Sequence, residues 1–407
     1  MQSGPSASPN DANERIFTIF VIAGEHSGDA LGGKLLAELN TRWPNRIRYL
    51  GVGGEEMARH GLISQFPLSD VAVMGPINIL KALPRITRRV YRTVDAAITA
   101  EPDLVVIIDS PEFTHPIAKR IRKRRPHIPI VNYVSPSVWA WRPGRAKKMA
   151  PYVDHLLALL PFEPDAHERL GGPDCTYVGH PLIERLDWLQ TLETDSLRQR
   201  LGLNPDKPVI VALPGSRRSE VSVLMTPFGG TIGELMASGI QPEVIIPAVP
   251  YLKEDISNAA ASWPVRPHIV TGVDDKFRAF RMAKAALAAS GTVTLELAMA
   301  GTPMVVGYRV DGLAANLRFL VNVPSIVLAN LVLDDQVFPE FIQENCTPEK
   351  LSEALIPLLS ETPARTEQLN ALATIPDRMT RADGRSPSAV AADIVMNYAV
   401  GGRDPSA

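Results

Sequence analysis

The run IFTIFVIA at residues 16–23 is almost wholly apolar and leads directly into the loop GEHSGD at residues 24–29. A short apolar run without polar alternation is typical of a strand buried on both faces of a parallel sheet. Segments with helical periodicity, such as Leu31–Leu39 and Pro116–Lys123, separate it from five similar runs: IRYLGV (47–52), DLVVIID (103–109), IPIVNYVS (128–135), HLLALL (155–160) and CTYVG (175–179). This alternation predicts an α/β fold with an open, doubly wound parallel sheet.

The strand rhythm breaks after Gly179 and starts again near residue 208. The second series of apolar runs is PVIVALP (208–214), PEVIIPAV (242–249), AALAAS (285–290) and PMVVGY (303–308). The sequence therefore predicts two Rossmann-like doubly wound domains, at residues 15–180 and 207–380, joined by a linker at 181–206. We expect residues 1–14 to be a disordered lead, and residues 381–407 to form a C-terminal helix and tail that can pack back on either domain, the N-terminal one included.

Composition excludes several classes of protein. Of the 407 residues, 45% are hydrophobic and 21% are charged, which is typical of a soluble globular protein. The longest apolar runs fall far short of the roughly 20 residues that span a bilayer. The two cysteines, Cys175 and Cys346, cannot build a disulfide framework or a four-ligand zinc site, and they favour a reducing cytosol. The net charge of −2 gives no reason to expect a nucleic acid partner.

Ligands of open α/β sheets bind beyond the carboxyl ends of the strands, so the loops at those positions carry the candidate sites. The loop after the first strand offers backbone glycines and side chains that can bond sugar hydroxyls: Glu25, Ser27, Gly28 and Asp29. It does not match GxGxxG, which argues against a dinucleotide. The alternative is a tight turn in which Asp29 caps a helix.

Two further positions in the first half are candidates for chemistry. Asp109 follows a central apolar strand and is held by Pro111, which suits a general base, although a helix N-cap is the alternative. Trp139 lies with Trp141 in an irregular loop, where the two rings either line an amphipathic cleft or belong to the core.

The second half carries two predicted phosphate loops. Ser216 and Arg217 stand between a strand and a helix, where backbone N–H groups, a hydroxyl and a guanidinium can meet a pyrophosphate. Ser290, Gly291 and Thr292 repeat the arrangement, and Glu296 follows one helical turn later, where a carboxylate can accept ribose hydroxyls. The alternative is that both loops only cap helices.

A series of motifs, taken in order, resembles the lipid-A-disaccharide synthase family over roughly residues 15–345: AGEHSGD (23–29), GVGGEEM (51–57), VAVMG (71–75), IDSPEF (108–113), YVSPSVWAWR (133–142), LPFE (160–163), VGHP (178–181), LPGSRRSEV (213–221), ASGTVTLE (289–296) and PMVVGYR (303–309). The resemblance implies a GT-B glycosyltransferase, with two Rossmann-like domains and the active site in the cleft between them. It also implies the reaction of UDP-2,3-diacylglucosamine with 2,3-diacylglucosamine 1-phosphate, which gives a β-1′,6-linked disaccharide and UDP.

The resemblance also implies roles for the candidate residues. Forming a β-linkage from an α-linked UDP sugar is an inversion, so Asp109 would be the base and Arg217 would stabilise the departing UDP, without a metal or other cofactor. On the acceptor side it implies Glu25 and Ser27, and the loop positions add Gly28, Asp29 and Trp139 as candidates. On the UDP-sugar side it implies Arg217, Glu296 and Asn330, and the two predicted phosphate loops add Ser216, Ser290, Gly291 and Thr292.

A basic amphipathic segment is the candidate membrane surface. Lys81, Arg85, Arg88, Arg89 and Arg92 fall within one arc of a helical wheel, opposite an aliphatic side that includes Leu83, Ile86 and Val90. Such a segment can lie in a membrane interface, and its proposed contacts are Ile77, Ile79, Leu80, Leu83, Ile86, Arg85, Arg88 and Arg89. The alternative is a surface helix that packs on the sheet. Pro84 is expected to start or kink the helix, leaving Ile77–Leu80 as a separate turn.

Two other functions remain open from the residues alone: a UDP-sugar 2-epimerase of the same architecture, and a non-enzymatic nucleotide-binding module at a membrane. The expected location is the cytoplasm, with peripheral attachment to the inner surface of the cytoplasmic membrane. The sequence leaves the oligomeric state open, a homodimer included.

Overall fold

The computed structural model describes residues 15–72, 76–310 and 324–402, with the side chains of residues 76–81 left out of the description. The chain divides into two compact units. Unit 1 combines the residues up to Pro181 with those from Arg381 onward, and unit 2 is Leu182–Thr380. Residues 182–206 of the predicted linker 181–206 belong to unit 2 and contain short helices.

Unit 1 is built on a seven-stranded, wholly parallel sheet in the order β3-β2-β1-β4-β5-β6-β7. The strands are β1 (Phe17–Ala23), β2 (Ile47–Val52), β3 (Ile63–Ser64), β4 (Leu104–Ile108), β5 (Ile130–Tyr133), β6 (His155–Ala158) and β7 (Cys175–Tyr177). The strand order changes direction between β1 and β4, because β2 and β3 are added on one side of β1 and β4 to β7 on the other. Ala23 pairs with Ile108 across this point. The loops after these two strands therefore leave the sheet at the same level.

Helices cover both faces of the unit 1 sheet. They are His26–Arg42, Glu55–Ala58, Pro76–Ala100, Pro111–Arg124, Gly144–Met149, Glu163–Arg169 and Pro387–Gly401, with a 3-10 turn at Leu68–Asp70. The last of these packs on the helix His26–Arg42 and on β1 and β4. Its buried side chains, among them Val390, Val395 and Met396, share one core with Leu35 and Leu39.

Unit 2 repeats the architecture with a six-stranded parallel sheet in the order β10-β9-β8-β11-β12-β13. The strands are β8 (Val209–Leu213), β9 (Glu243–Pro247), β10 (His268–Val270), β11 (Ala285–Ala288), β12 (Met304–Tyr308) and β13 (Glu340–Ile342). The order reverses between β8 and β11, where Leu213 pairs with Ala288. Each unit thus has one such reversal point, which is where open α/β sheets bind ligands.

The helices of unit 2 surround this sheet. They are Leu186–Thr191, Asp195–Leu201, Arg218–Ala237, Lys253–Ala259, Val273–Met282, Val293–Met299, Leu328–Leu333, Pro348–Leu355 and Pro363–Met379, with 3-10 turns at Ile183–Arg185, Pro250–Leu252, Ala260–Ser262, Gln343–Asn345 and Ile356–Leu359. Arg281 fastens the predicted linker to the unit by donating to the carbonyls of Leu189 (2.8 Å) and Leu192 (2.6 Å).

The doubly wound fold predicted from the sequence is confirmed, and each of the ten quoted apolar runs contains a strand. The expectation that the helix starts at Pro84 after a separate turn is wrong, because one helix runs from Pro76 to Ala100 with Pro84 inside it. Within the described ranges, no helix combines the length and apolar character needed to cross a membrane.

Candidate functional site

The reversal point of unit 1 brings the loops after β1 and β4 into contact. A Cβ on Gly24 would lie 2.6 Å from the Cβ of Ser110, so the two loops approach this closely only because residue 24 is glycine. Ser27 then reaches across and donates its hydroxyl proton to Asp109 Oδ2 at 3.1 Å. Two of the sequence-predicted site residues are therefore joined by a hydrogen bond.

The backbone at Asp109 is strained. Asp109 and Ser110 have φ of 52° and 44°, in the left-handed region that costs a non-glycine residue about 1–3 kcal/mol. The helix-cap alternative for Asp109 fails, because Ser110 occupies the cap position of Pro111–Arg124 and the Asp109 carboxylate accepts only the adjacent Ser110 N–H, at 2.7 Å, from the helix start. Strain of this kind clusters at functional sites and here aims a carboxylate beyond the sheet.

Asp29 has a structural role instead of the predicted contact with a sugar. Its side chain is 3% exposed and accepts N–H groups from Gly54 (2.7 Å), Glu56 (3.0 Å) and Met57 (3.2 Å), at the start of the helix Glu55–Ala58. The carboxylate thus caps a neighbouring helix. A Cβ on Gly28 would lie 3.1 Å from the Ile108 carbonyl oxygen, so Gly28 lets its helix pack closely on the sheet. Glu25 and Ser27 remain exposed at the loop.

Trp139 is half-buried and is held by a residue that the sequence interpretation did not single out. Its indole N–H donates to Glu163 Oε1 at 3.2 Å, and its ring meets the Phe162 ring edge to face at a centroid distance of 5.1 Å. Burial raises the pKa of Glu163 to about 7, although the hydrogen bonds to its carboxylate act in the opposite direction. The motif LPFE contains Glu163, but its partner Trp139 comes from a distant loop.

The predicted phosphate loop of unit 2 has an internal carboxylate. Glu220 Oε2 accepts the backbone N–H groups of Ser216 (2.9 Å) and Arg217 (3.2 Å), and its Oε1 accepts from the Arg217 guanidinium at 2.8 Å. These two N–H groups are therefore bonded to a carboxylate of the chain itself. The Arg217 side chain is 71% exposed, so its guanidinium is still accessible to an anion.

The second loop of unit 2 begins with a backbone that requires glycine. Gly291 has φ of 134°, and a Cβ there would meet no atom within 4 Å, so the constraint is conformational. Ser290 donates its hydroxyl proton to the Ile326 carbonyl at 2.6 Å, and Thr292 is exposed. Glu296 pairs with Lys276 Nζ at 2.7 Å, a cation that the sequence interpretation missed.

Asn330 lies in the interior of unit 2. It is 1% exposed, and its amide accepts the Phe338 N–H at 2.9 Å and donates to the Phe338 carbonyl at 2.9 Å and to Ser325 Oγ at 3.2 Å. A nucleotide would have to displace one of these bonds to reach the side chain. The geometry therefore gives Asn330 the role of holding the chain at Phe338.

The basic amphipathic segment lies on the helix Pro76–Ala100 and has both buried and exposed side chains. Val90 is buried in the core and Ile86 packs at its margin, whereas Leu83 is 50% exposed. Arg85 and Arg88 are exposed, while Arg89 pairs with Asp70 and lies over the Phe66 ring. The side chains of the other proposed membrane contacts, Ile77, Ile79 and Leu80, lie outside the described residues.

The two reversal points offer complementary chemistry. Unit 1 presents the Asp109 carboxylate, which can accept a proton, and unit 2 presents the Arg217 guanidinium, which can bind an anion. In the part of the chain that the structure describes, no three His, Cys, Asp or Glu side chains gather as a metal site. A cavity of about 780 Å³ between Arg218–Ala237 and Lys253–Ala259 is lined by none of the predicted site residues.

Similar folds occur in solved structures of other proteins. The structure of UDP-GlcNAc 2-epimerase from Neisseria meningitidis, bound to UDP-GlcNAc, has a TM-score of 0.65 at 14% identity and covers 93% of this chain and 100% of its own. The structure of MurG from Acinetobacter baumannii has a TM-score of 0.54 at 13% identity, covering 94% and 99%. At such identities the likeness shows the fold alone, which is GT-B.

Sequence comparison is more specific. A family model described as lipid-A-disaccharide synthetase matches residues 19–394. The lipid-A-disaccharide synthase of Nitrobacter hamburgensis is 51% identical over 388 residues, which cover 95% of this chain and 97% of the relative. The family predicted from the motifs is confirmed: the chain belongs to the lipid-A-disaccharide synthases, glycosyltransferases of lipid A biosynthesis.

Proposed function

We propose that this enzyme transfers the sugar of UDP-2,3-diacylglucosamine to the 6-hydroxyl of 2,3-diacylglucosamine 1-phosphate. The products are the β-1′,6-linked tetraacyl disaccharide 1-phosphate and UDP. Family membership supports the overall reaction. The single observation that carries the mechanism is the Asp109 carboxylate, held beyond β4 by a strained backbone and bonded to Ser27.

Asp109 is the general base of this proposal. The acceptor oxygen attacks the anomeric carbon from the side opposite UDP, a new C–O bond forms, and the bond to the β-phosphate oxygen breaks. The hydroxyl proton passes to Asp109, and the electron pair of the broken bond leaves with UDP. One in-line displacement inverts the configuration, so no covalent intermediate is needed. Ser27 acts as a positioning residue because its hydroxyl bonds the carboxylate.

Arg217 receives the leaving group. Negative charge grows on the UDP β-phosphate as the bond breaks, and an exposed guanidinium can bind it through two parallel hydrogen bonds. Glu220 keeps this guanidinium next to the loop before the substrate arrives. We propose that Arg217 performs the charge stabilisation that a divalent metal performs in other transferases, so that the reaction needs neither a metal nor another cofactor.

The donor side also includes the second loop of unit 2. Ser290, Gly291 and Thr292 follow β11 next to the phosphate loop in the strand order, and Glu296 lies beyond them. We assign the ribose hydroxyls to Glu296. The ion pair with Lys276 holds that carboxylate in position, and its oxygens can accept hydrogen bonds.

An experiment with radiolabelled acceptor tests this function and its nearest alternative together. Incubation with UDP-2,3-diacylglucosamine should yield a labelled tetraacyl disaccharide in equal amount to the UDP released, with the activity unchanged by EDTA. A UDP-sugar 2-epimerase would instead change the donor without using the acceptor. Loss of activity in EDTA, restored by a divalent cation, would contradict the role given to Arg217.

We further propose that the helix Pro76–Ala100 attaches the enzyme to the inner surface of the cytoplasmic membrane, where both acylated substrates reside. Leu83 is exposed, and a groove of about 410 Å³ is lined by Pro84, Arg85, Arg88, Arg89 and Arg92. Aliphatic side chains beside arginines suit an interface of acyl chains and anionic headgroups. The proposed cellular location is therefore the cytoplasm, and a homodimer stays a prediction that sedimentation can test.

Two matched variants separate attachment from packing. Leu83→Ser should weaken co-sedimentation with anionic vesicles and leave the free energy of unfolding within about 0.5 kcal/mol of the parent, because its side chain is exposed. Val90→Ser should destabilise the fold by about 2 kcal/mol, because Val90 is 6% exposed and lies in the core. Unchanged vesicle binding by the folded Leu83→Ser variant would rule against this surface.

A further inference from the structure

A buried carboxylate connects two loops at the carboxyl edge of the unit 1 sheet. Glu163 is the first residue of the helix Glu163–Arg169 and is 4% exposed. One loop, residues 159–162, precedes this helix and follows β6. The other loop, residues 134–141, follows β5, the neighbouring strand.

Both loops donate hydrogen bonds to this carboxylate. Oε2 accepts the backbone N–H groups of Leu159 and Leu160, each at 3.0 Å, and Oε1 accepts the Trp139 indole N–H at 3.2 Å. The Ser135 hydroxyl lies close to the carboxylate but donates its proton to the Pro136 carbonyl at 2.9 Å. All three donors are neutral groups. They therefore compensate for burying the charge by hydrogen bonding and not by pairing with a cation.

The contacts around the carboxylate make this connection rigid. Ser135 Oγ lies 2.8 Å from His167 Nε2, and Nδ1 of that ring has no partner among the described residues. The Ser135 hydroxyl donates its one proton to the Pro136 carbonyl at 2.9 Å, so its oxygen accepts from His167 Nε2–H. The Phe162 ring packs edge to face on Trp139, so an apolar contact and a polar contact join the same two loops.

We infer that Glu163 is a positioning residue for the lipid acceptor, which it serves by fixing the loop 134–141 that carries Trp139. This inference rests on the proposed function, since it assigns that loop to acceptor binding. Glu163 itself is buried and touches no substrate. Its effect reaches the acceptor through the indole that it orients.

The groups around Glu163 predict that acceptor binding depends on pH. Cys175 and Tyr177 of β7 face it, Arg381 lies near Tyr177, and His167 is linked through Ser135. Burial raises the pKa of Glu163 to about 7 and lowers that of His167 to about 4, so His167 is neutral when Glu163 takes up its proton. Protonation weakens the bond from Trp139, because the indole then donates to a neutral carboxyl group and no longer to a carboxylate, so the loop 134–141 is held less firmly as the pH falls through about 7.

Glu163→Gln is the test variant. Its amide oxygen can keep both backbone N–H groups of the loop 159–162, while its NH₂ group faces the Trp139 N–H and cannot accept from it. We expect the KM for the acceptor to rise about tenfold, with the KM for the UDP sugar nearly unchanged, since one hydrogen bond to a charged group is lost. Trp139→Phe removes the same bond from the other side and should give a similar change.

The double variant and the pH profile decide the outcome. If the two residues act through one bond, Glu163→Gln with Trp139→Phe should raise the acceptor KM no more than either single change. The acceptor KM of the parent should rise below pH 7, and that of Glu163→Gln should not. Additive effects, an unchanged acceptor KM in a folded variant, or a retained pH dependence would each overturn the inference. An inactive parent enzyme would instead refute the proposed function.

Discussion

Both units place their candidate site loops at the point where the strand order reverses, but the two sites carry side chains of opposite charge. In unit 1 the reversal point between β1 and β4 presents a carboxylate, and its loops combine a strained backbone at Asp109 with a close approach that the absence of a side chain at Gly24 allows. In unit 2 the reversal point between β8 and β11 presents a guanidinium, and its loop stays in place through bonds to Glu220. The order of the strands thus decides where a site lies, whereas a few side chains decide which ligand charge it accepts.

The largest effect is expected at the carboxylate of unit 1. Asp109→Asn keeps the shape of the side chain and removes the base, so turnover should fall by about 10²–10⁴. Binding of the UDP sugar should stay within a few-fold of the parent, because the donor side belongs to unit 2. Steady-state kinetics with calorimetric titration of UDP would show both. Near-normal turnover would mean that another residue is the general base, with Glu25 and His26 of the loop after β1 as the first candidates.

The guanidinium of unit 2 should give the next largest effect. Arg217→Ala should weaken UDP binding by about 10–100-fold and lower the rate, because a charge-assisted hydrogen bond is lost in the ground state and in the transition state. Arg218→Ala is the matched control, since Arg218 pairs with Asp255 at 3.2 Å. Equal UDP affinity of the two variants would show that Arg217 does not bind the phosphates of UDP.

The close approach of the unit 1 loops can be tested at Gly24. Gly24→Ala places a methyl group 2.6 Å from the Cβ of Ser110, and the forced shift should cost about 1–3 kcal/mol of folding free energy while displacing Asp109. Gly144→Ala is the control, since a Cβ there meets nothing within 4 Å. Urea unfolding would compare the two. Parental stability in Gly24→Ala would mean that the loops separate without strain.

The smallest change is expected at Glu220. Glu220→Gln can keep the bonds to the backbone of Ser216 and Arg217 and loses only the pair with the guanidinium. Because the Arg217 side chain is 71% exposed, UDP affinity should fall by less than about fivefold. Glu220→Ala should be worse, since it also loses the backbone bonds. If both variants lowered UDP affinity equally, the backbone bonds would have no part in shaping the loop.

Central strands could be predicted from the sequence, and most edge strands could not. β4 is buried at every position and appears as an unbroken apolar run. The strands missed, β3, β10 and β13, are all at sheet edges, two or three residues long and partly exposed. An edge strand buries little side-chain surface, so its pairing depends on a neighbour that local sequence does not reveal.

Candidate site residues could be located by loop position, but their contacts could not. Asp29 stands in the motif AGEHSGD and Asn330 was implied by the family resemblance, yet their polar atoms bind the protein's own backbone. Glu220 was missed although it bonds Ser216 and Arg217, four and three positions earlier, in a capping box that local sequence can reveal. Glu163 and Lys276 were missed because each matters through a distant partner: the indole donor to Glu163 comes from 24 positions away, and Lys276 meets Glu296 across 20. Such pairings are products of the folded chain and leave no local pattern.

The return of the helix Pro387–Gly401 to unit 1 has a consequence for synthesis on the ribosome. Unit 2 is one continuous stretch, Leu182–Thr380, and all its residues are made before that helix. The core that holds Leu35 and Leu39 waits for Val390, Val395 and Met396, which come near the end of translation. Unit 1 therefore begins first and finishes last, and a chain that stops before Pro387 leaves an apolar face uncovered for chaperones and proteases to recognise.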